Sequence, residues 1–186
     1  MDRVWSRARS IGDLGKAMAD WLEGRVPSWP GCSVGPDDET LPLVPVLARL
    51  NRRGFVTTMS QPGDGGTCAD GRPWTQRAAV EGWMAADDPL LPRIIRAARA
   101  AGLIVTVHGC GRAVGPRRGL AATRRGTETG LTVGGRVGRF RRRAEWRGAG
   151  RRARRQLAHE GVALAVIDPV WCRYDVLWDL LDRLCD

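Results

Sequence analysis

Glu39 and Thr40 are neighbours in the chain, and Thr57 and Ser60 follow a short way on, just ahead of Gln61 and Pro62. A carboxylate beside hydroxyls recognises a ligand bearing positive charge, amines or sugar hydroxyls, because the carboxylate accepts from donors while each hydroxyl both donates and accepts. This is binding chemistry. No nucleophile, base and orienting group can be assembled elsewhere, so the reading leans away from an enzyme. His108 and Cys110 lie close together, but the other histidine, His159, sits in an arginine-rich stretch, and no metal site is expected. The run Gly63–Gly66 leads into no helix that would help it hold phosphate and reads as a turn. Asp168, ahead of Pro169, reads as a turn carboxylate.

A second chemistry is carried by charge. The formal net charge is +10, Lys16 is the one lysine, and arginine supplies nearly all the rest. The densest stretch runs from Gly135 to Gln156, where Arg139, Arg141, Arg143, Arg151 and Arg152 surround Phe140 and Trp146. Guanidinium groups hold phosphates and aromatic rings stack on bases, so these residues define an alternative function in nucleic-acid binding. A chain rich in Ala, Gly, Arg, Pro and Trp also carries arginine on solvated surfaces for compositional reasons, and the charge alone does not decide.

The elements that position these groups follow from pattern. Ser10 with Asp13 reads as a helix cap, and Ile11, Leu14, Met18, Trp21 and Leu22 recur at helical spacing, predicting a helix over Ile11–Glu23 that Gly24 ends. Val26–Asp38, rich in Pro and Gly, is a long connection of the kind that often serves function. Leu43, Val44, Val46, Leu47 and Leu50 form the stripe of a second helix, which Pro42 and Pro45 reduce to a loose turn at its start. Strands are expected over Phe55–Met59, Thr75–Met84, Leu103–His108 and Val162–Ile167, and further helices after Asp88, over Arg151–Glu160 and over Tyr174–Leu184. The run SQPGDGG should be loop and Gly109–Gly126 should loop out, while Leu131–Val133 and Val137–Arg147 are expected to pair as strands. Trp21, Trp83 and Trp178 sit on apolar faces and read as core.

With 186 residues, 43% of them hydrophobic, the chain fits one domain spanning residues 1–186. No apolar run is long enough for a signal-peptide core or a membrane span, so a cytoplasmic protein with no membrane partner is expected. The five cysteines, Cys32, Cys68, Cys110, Cys172 and Cys185, are odd in number and widely spaced, and read as free thiols.

The segment DDETLPLVPVLARLNRRGFVTTMSQPG, Asp37–Gly63, resembles the regulatory domain of eukaryotic methylenetetrahydrofolate reductase. There a Glu-Thr pair opens a helix, the helix ends near an Asn and a Gly, and a strand runs out into a T-x-x-S-Q-P turn. QRAAVEGW at Gln76–Trp83, a strand ending in His108, AVIDPV at Ala165–Val170 and WLEG at Trp21–Gly24 are similar to further stretches of that domain. The chain also resembles a group of uncharacterised actinobacterial proteins with the same S-Q-P and D-P pattern. The resemblance implies an α+β fold, a mixed β-sheet flanked by about five helices. It implies a non-catalytic domain that binds or senses S-adenosylmethionine, S-adenosylhomocysteine or a related adenosine compound through Glu39, Thr40, Thr57 and Ser60. With no catalytic barrel in the chain, the domain would act on an unknown protein partner in trans. An interaction module without the ligand pocket is the third reading.

Overall fold

The computed structural model describes residues 3–138 and 144–185. A short helix α1 (Arg3–Arg7) precedes α2 (Ile11–Leu22), a 3-10 helix (Asp38–Leu43), α3 (Val44–Arg52), α4 (Leu90–Ala100), α5 (Arg151–Glu160) and α6 (Asp175–Cys185). The strands are β1 (Val56–Gln61), β2 (Gly65–Thr67), β3 (Pro73–Ala85), β4 (Ile104–Gly109), β5 (Arg112–Val114), β6 (Leu120–Arg125), β7 (Glu128–Val133) and β8 (Gly161–Trp171). The class is α+β.

One sheet runs in the order β5-β4-β8-β3-β6-β7, with β1 and β2 also paired to the long β3. Every described pairing is antiparallel. The helix, turn and strand order of α4 and β4 carries the chain across from β3 to β4, which run in the same direction. Rather than lying side by side, they leave a gap that β8 fills in the opposite direction. Parallel strands are thus present in the sheet but are never neighbours.

Alternation along the strands gives the sheet two apolar faces. Ala78, Val80 and Met84 of β3, with Val162, Leu164 and Val166 of β8, face the helices and form the main core with Leu14, Met18, Leu47, Leu50 and Leu177. Ala79, Ala165 and Ile167 face the other way and meet Ala122 and Val133 of the β6–β7 hairpin, which folds over that side. Gly134 closes the hairpin's end against the sheet, its N–H donating to Glu81 Oε2 at 2.6 Å. A Cβ there would meet Thr106 Oγ1 at 2.6 Å, on a backbone with φ of 75°.

Local chemistry sets the element ends. Ser10 Oγ accepts from the Asp13 N–H, and the Asp13 carboxylate accepts from the Ser10 N–H, the reciprocal cap expected from sequence. Gly24, Gly54 and Gly102, with φ of 76°, 97° and 74°, take the left-handed conformation that ends α2, α3 and α4. The prolines divide the second helix as expected: the 3-10 turn holds Pro42, and regular α-helix begins only at Val44.

Three expectations need correction. Ser60 and Gln61 belong to β1, and Gly65–Thr67 forms a short strand, so SQPGDGG is only in part a loop. Residues 109–126 do not loop out as a whole, since β5 and β6 lie within them. Leu131–Val133 ends β7 and pairs with β6, not with Val137–Arg147; residues 134–138 are non-strand and 144–145 helical, while 139–143 lie outside the described residues. No helix among the described residues is long and apolar enough to cross a membrane.

Candidate ligand-binding cleft

The 3-10 helix and β1 bring the predicted residues together. Pro42 keeps the 3-10 turn from extending as α-helix, Thr40 N–H closes it on the Asp37 carbonyl at 2.8 Å, and the Glu39 carboxylate accepts from Gln76 Nε2 of β3 at 3.0 Å. β1 pairs with β3 along one edge only, among the described strands, and its other edge faces a cleft of about 300 Å³. Glu39, Thr40, Thr57 and Ser60 all line that cleft.

The register between β1 and β3 shifts between Thr57 and Met59, a bulge in the strand at the cleft. Bulges re-aim side chains, and here all of residues 57–61 reach the cleft wall, which a regular two-residue alternation does not allow for one face. Asn51, wholly buried in the last turn of α3, fixes the strand's start. Its Oδ1 accepts from the Thr57 N–H at 3.0 Å, and its Nδ2 donates to Thr57 Oγ1 at 2.6 Å and to the Leu47 carbonyl at 2.8 Å. With its oxygen taken as an acceptor, the Thr57 hydroxyl keeps its proton to donate.

The long connection after α2 forms the opposite wall. Trp29 and Cys32 bridge each other through both backbone N–H groups at 3.0 Å, and Trp21 Nε1 donates to the Val34 carbonyl at 3.0 Å. The Trp21 and Trp29 rings meet edge to face at 6.2 Å and 61°, giving the cleft an aromatic side. Trp83 and Trp178 are buried as expected, whereas Trp21 is half-buried and serves the cleft.

The polarity of the wall is one-sided. Asp37 and Glu39 supply carboxylates, and no arginine, lysine or histidine stands among the described lining residues. Gln61, also in the wall, donates from Nε2 to Thr123 Oγ1 at 2.5 Å, but its Oε1 is buried without a donor. Gln76 Oε1, behind Glu39, is likewise unpaired. Sequence reasoning placed Gln61 only in a turn and did not reach Asn51, Trp21 or Trp29 as parts of a site. Their types were visible, but only tertiary packing brings α2 and the connection after it across from β1.

The other candidates fall elsewhere. Asp168 lies within β8 and not in the turn expected of it; its Oδ1 accepts from the Val170 N–H at 2.8 Å, and its carboxylate accepts from Arg173, through Nε and a terminal nitrogen, at 2.7 Å each. Of the basic alternative, Arg139, Arg141 and Arg143 lie outside the described residues, and Arg151 and Arg152 are exposed in the first turn of α5. Trp146 departs from its expected role. It is 1% exposed, with its ring 6.3 Å from Trp5 and 5.6 Å from Trp29, so the ring is closed to stacking on a base. Among the described residues, no three of His, Cys, Asp and Glu are grouped to hold a metal ion.

A family model described as a domain of unknown function, DUF6919, matches residues 1–185. No curated protein gives a significant match.

Proposed function

We propose that this chain, which belongs to the DUF6919 family, is a non-catalytic binding domain for S-adenosylmethionine, S-adenosylhomocysteine or a closely related adenosine compound, and that it acts on a protein partner in trans. The observation that carries this reading is the meeting of Glu39, Thr40, Thr57 and Ser60, drawn from two elements, in one cleft. The surroundings support it. Carboxylates without a balancing cation suit a sulfonium or ammonium group, and the Trp21 and Trp29 rings suit a flat base or a cationic methyl centre. A cleft of about 300 Å³ lies at the lower end of small-molecule sites and would enclose such a ligand closely.

Thermal unfolding with each ligand tests the proposal. At about a hundred times its dissociation constant a ligand adds about 2.7 kcal/mol, which raises the midpoint of a domain this size by about 5–10 °C. The rise should disappear in Glu39→Ala and shrink in Ser60→Ala. Glu39→Gln should reduce the preference for the sulfonium compound over its thioether counterpart, since the two differ by the sulfonium charge that a carboxylate favours. No rise with either compound overturns the reading.

A further inference from the structure

Gln76 stands on β3 behind the cleft and is not among the residues that line it. It is 6% exposed, and its backbone is held from both sides: its N–H donates to the Asp64 carbonyl at 2.6 Å and its carbonyl accepts from the Cys172 N–H at 2.8 Å. The side chain is therefore launched from a fixed point. Its Nε2 donates to Glu39 Oε2 at 3.0 Å. A carboxylate can only accept, so the orientation of the amide is the one its neighbour dictates.

The other end of the amide needs an explanation. Gln76 Oε1 is buried and has no donor. A buried acceptor left unpaired is destabilising, and an apolar side chain of similar length, such as methionine, would fill the same place without that cost. Packing therefore does not account for a glutamine here, but Glu39 does. Glu39 is exposed on the 3-10 turn, makes no ion pair among the described residues, and has in Gln76 its one described side-chain hydrogen-bond partner. Without that bond the carboxylate is free to swing into water, because an exposed glutamate side chain gains rotamer freedom by doing so. With it, one carboxylate oxygen is tied back and the other keeps its full capacity to accept.

We infer that Gln76 is a positioning residue that holds the Glu39 carboxylate at the cleft for a cationic group of the ligand. The inference rests on the reading of the cleft as a ligand site, and it adds that the site is set before the ligand arrives, by a residue outside the lining.

Isothermal titration of the full chain with S-adenosylmethionine and with S-adenosylhomocysteine tests it, together with urea midpoints, in the native protein and in Gln76→Met and Gln76→Glu. Gln76→Met should weaken binding roughly tenfold, since the ligand must then order the Glu39 side chain itself, while its urea midpoint stays at or above the native value. Gln76→Glu sets a second carboxylate against Glu39, so binding should be lost near neutral pH. As pH falls the pair takes up a shared proton, the protonated carboxyl donates as the amide did, and binding should return, a recovery the native protein does not show. Native binding that Gln76→Met leaves unchanged overturns the inference and leaves the cleft reading standing. A Gln76→Met variant that loses stability and affinity together makes Gln76 a structural residue and also overturns it. Absence of binding to the native chain with both compounds overturns the cleft reading and the inference with it.

Discussion

The cleft beside β1 and the cavity beneath α5 have the same volume, about 300 Å³ each, and opposite polarity. The first is walled by carboxylates and hydroxyls, the second by guanidinium groups and a histidine. A net charge of +10 does not therefore describe what the protein presents at each site. It is an average over a basic helix and a neutral-to-acidic hollow. The two sites are not remote, because Trp29 lines the cleft and packs 5.6 Å from Trp146, which lines the cavity. Where charge sits in the fold thus separates two surroundings that composition merges.

Removing the support under each site should break the comparison most severely. Asn51→Ala leaves the Thr57 N–H without its acceptor and takes the anchor from β1, and about 3 kcal/mol of stability should go with it. Chemical denaturation measures that loss, and adenosine-ligand binding should fall with it. Gly150→Ala acts at the other site, since a Cβ on Gly150 would lie 1.9 Å from the Ala8 carbonyl oxygen. The turn that carries Trp146 must then move away from the start of α2, and about 2 kcal/mol of destabilisation is expected. Urea midpoints measure that loss, and adenosine-ligand binding should fall less than in Asn51→Ala.

Salt should sharpen the contrast without altering the fold. Screening lengths shrink from about 10 Å at 0.1 M to about 3 Å at 1 M. Any polyanion held on the exposed arginines of α5 should weaken at least tenfold over that range. A ligand held in the cleft by aromatic packing and buried hydrogen bonds should change by less than about threefold. Equal sensitivity at both sites would mean that the cleft also works by surface charge.

The same division governs what could be read from the chain beforehand. The predicted cleft residues lie on elements whose signals are local: two prolines that delay α3, and an apolar strand between Gly54 and Pro62. Their meeting with Trp21, Trp29 and Asn51 is tertiary and has no local signature. The region from Gly109 onward was read less well because β5 is wholly exposed and β7 nearly so, and neither strand carries the alternation that marks a half-buried one. The basic helix lies over Arg151–Glu160 as expected, but Trp146 was misjudged. Its neighbours in sequence are charged, and its neighbours in space are Trp5 and Trp29.

The smallest effect expected lies in the helix that joins the two sites. α2 meets the cleft through Met18, Trp21 and Leu22, and its first residue, Ile11, donates its N–H to Gln156 Oε1 of α5 at 2.8 Å. Its cap depends on the Asp13 carboxylate, which accepts from the Arg9 and Ser10 N–H groups at 2.9 and 3.1 Å. Those bonds, Arg9's foremost, hold Asp13 below its ordinary pKa against the opposing effect of burial. A carboxylate whose pKa is lower in the folded chain stabilises it above the unfolded pKa, and the gain is lost as pH falls through the folded value. Asp13→Asn should therefore cost about 1 kcal/mol near neutral pH, and the difference from the native chain should close on acidification. Urea midpoints across the acid range measure this. Because the cap is at the α5 end of α2, away from the cleft, loosening it should leave adenosine-ligand binding unchanged. A loss of that binding in Asp13→Asn would show that α2 moves as a rigid rod and couples its cap to the cleft.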